Sequence, residues 1–170
     1  MAIKPNTKAP GLNIDIIGQD SWKLENQTPE HFTMVVFYRG YHCPICSTYL
    51  KDLDNKLDAF SKKGVEVLAV STDTRKRAEL AKAEWDLPQL PVGYGLTIEE
   101  ARSWGLYISS GISDQEPEQF AEPGLFLIRP DQTLYAASIQ TMPFARPPFS
   151  DVLGAMDFIL GNNYPARGEL

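Results

Sequence analysis

Cysteine is scarce in this chain: Cys43 and Cys46 are the only two in 170 residues. A pair separated by two residues cannot supply the disulfide framework of a small secreted domain. Histidine is equally scarce, with His31 and His42 alone, so few soft ligands are available for a closed metal centre. Positive charge is in deficit. Sixteen Lys and Arg face 22 Asp and Glu, for a net charge of −6, which argues against a general nucleic-acid binder or an anionic-membrane binder. No apolar run reaches the length of a membrane span. Met1 to Pro10 is polar, carries two prolines and lacks the apolar centre of a signal peptide. There is no internal repeat and no glycine-rich phosphate loop. A cytoplasmic protein that binds no nucleic acid and no membrane is the expectation. The 43% hydrophobic and 22% charged composition suits one domain over 1–170. Its core is expected at about 12–160, between a flexible N-terminal arm and a polar, flexible C-terminal tail.

What is present gathers in residues 35–50, V-V-F-Y-R-G-Y-H-C-P-I-C-S-T-Y-L. Val35 to Tyr38 is β-branched and aromatic and reads as a buried strand. Arg39 to His42 form a short turn. A helix follows, with Tyr49, Leu50, Leu53, Leu57 and Phe60 as one stripe. Asp52, Asp54, Asp58, Lys51, Lys56 and Lys62 are expected on its solvated faces. Both cysteines therefore sit where a strand passes into a helix. The first helical N–H groups have no partner within the helix, and the dipole is positive there. A thiolate at that end is stabilised and its pKa falls. Pro44 suits the first turn, and Cys43 and Cys46 lie nearly one helical turn apart.

Such a pair has other readings. It could be half of a zinc site, but no second pair exists, and His31 and His42 are poorly spaced to complete one. It could be a structural disulfide, but so short a loop gains little from closure. A reversible redox pair fits the placement best. No metal, flavin or nucleotide cofactor is required.

The rest of the chain alternates. Leu12 to Ile17 and Ser21 to Leu24 suggest a short hairpin, and Glu25 to Phe32 a loop with a turn of helix after Pro29. Val65 to Val70 is a strand, and Ser71-Thr72-Asp73 can cap the helix that follows through Trp85. A short strand is expected near Leu90 to Gly93, then a helix over Thr97 to Trp104. Tyr107 to Phe120 reads as an exposed loop. Leu125 to Ile128 and Thr133 to Ser138 form a hairpin, and Phe149 to Ile159 a last helix. The order β–α–β–α, hairpin, helix implies an α/β domain with parallel strands and helical crossovers.

With C-x-x-C opening the first core helix, this order resembles the thioredoxin fold: a central mixed β-sheet flanked by helices, here with an N-terminal β extension. F-Y-R-G-Y-H-C-P-I-C at 37–46, V-L-A-V-S-T-D at 67–73 and P-G-L-F-L-I-R-P-D-Q at 123–132 resemble the peroxiredoxin-like branch, the alkyl hydroperoxide reductase/thiol-specific antioxidant group. The resemblance implies a peroxide or disulfide substrate, a thioredoxin-like reductant and, as in many peroxiredoxins, a homodimer. Thioredoxin-like enzymes attack with the first cysteine, here Cys43, and resolve with the second, Cys46. The peroxiredoxin pattern F-Y-P…T-x-x-C instead puts the attacking cysteine at Cys46, with Arg39 at the Pro position and Cys43 at the Thr position. The family's arginine before the Leu125 strand has no match, because Glu122, Pro123 and Gly124 stand there.

Four residues are candidates to support the pair. Pro123 resembles the cis-proline of thioredoxin-like proteins, against an ordinary trans turn proline. Arg39 can favour a thiolate or be a surface arginine. His42 can exchange a proton with Cys43 or be a plain turn histidine. Arg146, in P-F-A-R-P-P, can replace the missing arginine, against a solvated or tail-pairing role. Tyr38, Tyr41 and Phe144 are candidates for an apolar rim, and Trp85 and Trp104 for packing on the sheet. A redox sensor or binding module switched by the same pair is the reading from a different class.

Overall fold

The structure, a computed structural model, describes residues 3–170; Met1 and Ala2 of the N-terminal arm lie outside the described residues. Its order is β1 (Asn13–Ile16), β2 (Trp22–Lys23), β3 (Phe32–Phe37), α1 (Pro44–Lys62), β4 (Val65–Val70), α2 (Arg75–Glu84), β5 (Val92–Tyr94), α3 (Ile98–Ser103), β6 (Ile108–Ser110), β7 (Gln119–Ala121), β8 (Gly124–Ile128), β9 (Leu134–Ile139) and α4 (Phe149–Asn162). Seven strands form one sheet in the order β2-β1-β5-β4-β3-β8-β9, and β6 pairs with β7 separately. β3, β4 and β5 are parallel, and the flanking strands are antiparallel to their neighbours. This is the thioredoxin-like architecture, with β1 and β2 as its N-terminal extension.

β3 lies between β4 and β8 and is buried along its whole length. Its side chains alternate between two apolar layers, as the two-residue period of a strand requires. Phe32, Met34 and Val36 join Leu50, Leu53 and Phe60 of α1 and Phe149 and Met156 of α4. Val35 and Phe37 join Trp104 and Phe126 on the other face. A strand buried on both sides reads as a continuous apolar run, so the run V-V-F-Y was legible. Its start was not, and β3 begins at Phe32 rather than Val35. β3 is also the strand that delivers residues 38–43 to the C-terminal end of the parallel strands, where sites in α/β sheets form.

Several segments differ from the sequence expectation, each for a physical reason. The N-terminal arm is held by backbone bonds: Asn6 N–H and Ala9 N–H donate to the carbonyls of Leu134 and Gln132, and Leu134 N–H to that of Thr7. The C-terminal tail folds back, with Ala166 buried and Tyr135 Oη donating to the Tyr164 carbonyl at 2.9 Å. Backbone pairing of this kind leaves no side-chain period to read. Thr74, not the 71–73 triplet, caps α2, because the Asp73 carboxylate is engaged elsewhere. No helical turn follows Pro29; a single 3₁₀ turn lies at Leu24–Asn26 instead. Residues 108–121 form a small hairpin rather than a loop. Asp54 is not on a solvated face: it is buried, and its Oδ1 accepts the N–H groups of Gln89 (3.0 Å) and Leu90 (2.8 Å). Helical spacing marks a face, but a lone carboxylate inside that face shows itself only through its partners. Among the described residues no helix is long and apolar enough to cross a membrane.

Burial of Asp54 has a measurable consequence. Asp54→Ala strands two backbone donors and is expected to cost about 2–4 kcal/mol in urea unfolding, whereas exposed Asp58→Ala costs less than about 0.5 kcal/mol.

Candidate active site

Cys43 is the N-cap of α1. Its Sγ accepts the N–H of Cys46 at 3.2 Å, and Pro44 fills the first helical position. A sulfur thus takes the place that a Ser or Asp oxygen commonly holds at a helix start. Arg146, on the segment between β9 and α4, adds an Nη2–H to the same Sγ at 3.5 Å. Cys46 lies three residues further into the helix with no solvent exposure, while Cys43 keeps 2%. Both are free thiols.

The environments drive the two thiols apart. A hydrogen bond from the Cys46 thiol, the Cys46 N–H and the Arg146 guanidinium outweigh burial and lower the Cys43 pKa to about 5. Burial, the bond to Cys43 and the Cys43 charge raise that of Cys46 well above the ordinary thiol range. The two environments therefore favour the thiolate at Cys43 and the proton at Cys46.

The four supporting candidates meet different fates. Arg146 is drawn in rather than solvated. Besides Cys43 it donates to the Pro143 carbonyl at 3.1 Å and lies 5.3 Å from the Tyr49 ring centroid. Its Nε and Nη1 are buried without a partner. Arg39 sits beside the thiols but is paired: its Nε donates to Glu122 at 3.0 Å, and its guanidinium lies over Phe120 at 4.9 Å. The Glu122 carboxylate also accepts from Ser109 Oγ at 2.7 Å. His42 packs against Phe120, with ring centroids 4.6 Å apart, and its pKa is lowered by burial and by the charge of Arg39. The uncharged form of the ring is thereby favoured. Pro123 corrects an expectation, because no cis peptide bond occurs among the described residues. It lies between β7 and β8, and its carbonyl accepts the Gln140 N–H. Phe37 pairs with Gly124, which puts Pro123 beside the start of the 38–43 turn.

A cavity of about 560 Å³ opens beside Cys43, lined among others by Tyr41, His42, Arg77 and Trp85. Of the three rim aromatics, only Tyr41 lines it. Tyr38 is core, and Phe144 points into solvent at 75% exposure. Trp104 is buried on the sheet between Phe37 and Phe126, and Trp85 packs on Tyr38 and Tyr41.

Sequence reasoning missed Asp73 and Arg77. Asp73 lies just beyond β4; its carboxylate is fully buried and accepts the Tyr41 N–H at 2.8 Å and Arg77 Nε at 3.1 Å. It pins the turn that carries Cys43. The available signal was positional: an acid at the carboxyl end of a parallel strand, four residues before an arginine. No group of three or more His, Cys, Asp or Glu among the described residues is placed to hold a metal ion.

Comparison with known proteins gives the chain's family and fold. Residues 5–137 match the AhpC/TSA family model, and the chain belongs to that family. Its fold is that of the peroxiredoxins. The peroxiredoxin 6 of Arenicola marina, in a cysteine-to-serine mutant, is similar with a TM-score of 0.77 at 18% identity, over 95% of this chain and 76% of that one. The reduced 2-Cys peroxiredoxin of Plasmodium vivax gives 0.77 at 16% identity, over 95% and 84%. Mycobacterium bovis AhpC gives 0.74 at 14% identity, over 100% and 99%. No curated protein sequence matches the chain.

The site geometry predicts the effect of losing one cation. Arg146→Met is expected to move the pH midpoint of Cys43 alkylation upward from about 5. The rate at pH 6 should fall by a factor of roughly two to ten, while the plateau at high pH changes little.

Proposed function

We propose that the protein is a thiol-dependent oxidoreductase of the peroxiredoxin type. In this reading it reduces a hydroperoxide through Cys43, with Cys46 as the resolving thiol and a thioredoxin-like dithiol as reductant. A reducing compartment such as the cytoplasm suits that cycle. The single observation that carries the reading is the hydrogen-bonding of one sulfur. Cys43 Sγ receives the Cys46 N–H and the Arg146 guanidinium and lines the cavity, whereas Cys46 is wholly enclosed.

The chemistry follows in two steps. The Cys43 thiolate attacks one peroxide oxygen, an S–O bond forms and the O–O bond breaks. The electron pair leaves on the second oxygen, which takes up a proton, and Cys43 becomes a sulfenic acid. The Cys46 thiol then attacks that sulfur. An S–S bond forms, and the hydroxyl leaves as water with the Cys46 proton. Exchange with an external dithiol returns both thiols. Arg146 stands in for the arginine missing before β8: it reaches the sulfur from the other side of the chain and keeps two donors unpartnered. Alignment of F-Y-R…C with F-Y-P…T-x-x-C would assign attack to Cys46. A buried, protonated thiol is the poorer nucleophile, so Cys43 is preferred.

Disulfide exchange through the same Cys43 is the second reading. It is favoured by C-P-I-C at the helix N-terminus, an arrangement shared with disulfide oxidoreductases. Stopped-flow mixing of the reduced protein with hydrogen peroxide and with a small disulfide separates the two. Peroxidase action predicts a peroxide rate at least about a hundredfold above that of a free thiol. It also predicts a stable sulfenic acid in Cys46→Ser and no reaction in Cys43→Ser. A peroxide rate no faster than a free thiol, with rapid Cys43-dependent disulfide exchange, supports the second reading. Oxidation without turnover by any dithiol leaves a redox sensor.

A further inference from the structure

His42 lines the cavity beside Cys43, yet it is not a base in waiting. Its Nδ1 lies 3.3 Å from Arg77 Nη2. A guanidinium can only donate, so this contact uses the Nδ1 lone pair and the imidazole proton must reside on Nε2. Arg77 is not free to turn away. Its Nε is bound to the buried Asp73 carboxylate at 3.1 Å, and its Nη2 also donates to the Gln115 carbonyl at 3.3 Å.

The ring itself is confined. Phe120 packs on it, and Gly40 lies so close that a Cβ there would meet the ring at 3.2 Å and Asp73 Oδ1 at 2.7 Å. Burial and Arg39 oppose a charge on the ring, while Asp73, Cys43 and Glu116 favour one less strongly. The result is a neutral imidazole, fixed in one tautomer, whose Nε2 is buried with no hydrogen-bond partner. A donor left without a partner, on a ring that lines the same cavity as Cys43, is suited to an acceptor that arrives with the substrate.

We propose that His42 is a further catalytic residue, held by Asp73 and Arg77 as the Nε2–H tautomer so that this N–H bonds the atom that leaves when Cys43 attacks. The inference rests on Cys43 being the attacking thiol. With a hydroperoxide that atom is the second oxygen. With a disulfide it is the departing sulfur. His42 supplies a hydrogen bond and keeps its proton; the leaving atom is protonated by solvent. Asp73 and Arg77 are positioning residues that act through the ring.

Two measurements test this. NMR of the imidazole nitrogens in the reduced full chain at pH 7 should show a His42 Nδ1 without a proton and a protonated Nε2. In Arg77→Gln the two tautomers should mix. A protonated Nδ1 or an imidazolium in the wild type overturns the positioning by Arg77. In kinetics, His42→Phe keeps the packing on Phe120 and removes the donor. It should slow reaction with hydrogen peroxide by about tenfold or more, as expected for the loss of one hydrogen bond. Alkylation of Cys43 by iodoacetamide, whose leaving iodide needs no such bond, should stay within about twofold. His42→Gln, which keeps an N–H donor, should recover part of the peroxide rate. A parallel fall of both rates means that His42 acts on the thiolate, and an unchanged peroxide rate means that it does not act; either overturns the donor role. A wild type that reacts with neither peroxide nor disulfide overturns the donor role together with the redox reading. The tautomer measurement judges the Asp73–Arg77 arrangement separately.

Discussion

A sulfur at the N-cap of α1 is the contact on which the site depends. The Cys46 N–H to Cys43 Sγ bond does two things at once. It satisfies one of the orphan donors at the helix start, and it biases the proton of the pair towards Cys46. The consequence runs both ways between fold and chemistry. Cys43 caps the helix, and the helix brings the Cys46 thiol and N–H to its sulfur, which together with Arg146 lower its pKa.

That contact stays in place only if the turn before it is held. Residues 38–43 leave the end of β3, a strand with no exposed face, and are then clamped from two sides. Asp73 holds the Tyr41 N–H from beyond β4. The β6–β7 hairpin holds the other side through Glu122 on Arg39 and Phe120 against both Arg39 and His42. The small hairpin is therefore part of the wall of the site rather than an ornament on the surface. Charges are matched in the same economical way: Arg39 faces Glu122, Arg77 faces Asp73, and Arg146 faces the thiolate. Oxidation to a disulfide would remove the one negative charge that Arg146 faces.

The sequence exposed this design unevenly. The β3 run, the stripe of α1 and the C-x-x-C between them carry their own period and composition, so the central strand, the helix and the thiols were readable. The helix over Thr97 to Trp104 was readable as well, and the structure closes its start with a capping box of Thr97 and Glu100. What could not be read depends on chain segments far apart. Arg39 and Arg146 were candidates from the sequence, but their partners were not readable: Arg146 reaches Cys43 across 103 residues and Glu122 reaches Arg39 across 83, and no local pattern encodes either contact. Asp54 looked like one more charge on a helix face because its two donors come from residues 89 and 90. Residues 108–121 lack alternation over most of their length, so a Ser- and Gly-rich hairpin passes for a loop. The proline at 123 sat at the familiar place before a strand, yet its peptide is not cis.

The central claim is that Cys43, and not Cys46, carries the negative charge. Titration of thiolate ultraviolet absorbance in the reduced protein, with Cys43→Ser and Cys46→Ser beside the wild type, tests it most directly. The account predicts an absorbance step near pH 5 in the wild type. Cys46→Ser should keep an acidic step, since its hydroxyl and backbone N–H still donate, and Cys43→Ser should lose it. A step that survives in Cys43→Ser and vanishes in Cys46→Ser, or no step below pH 7 in the wild type, would contradict the account.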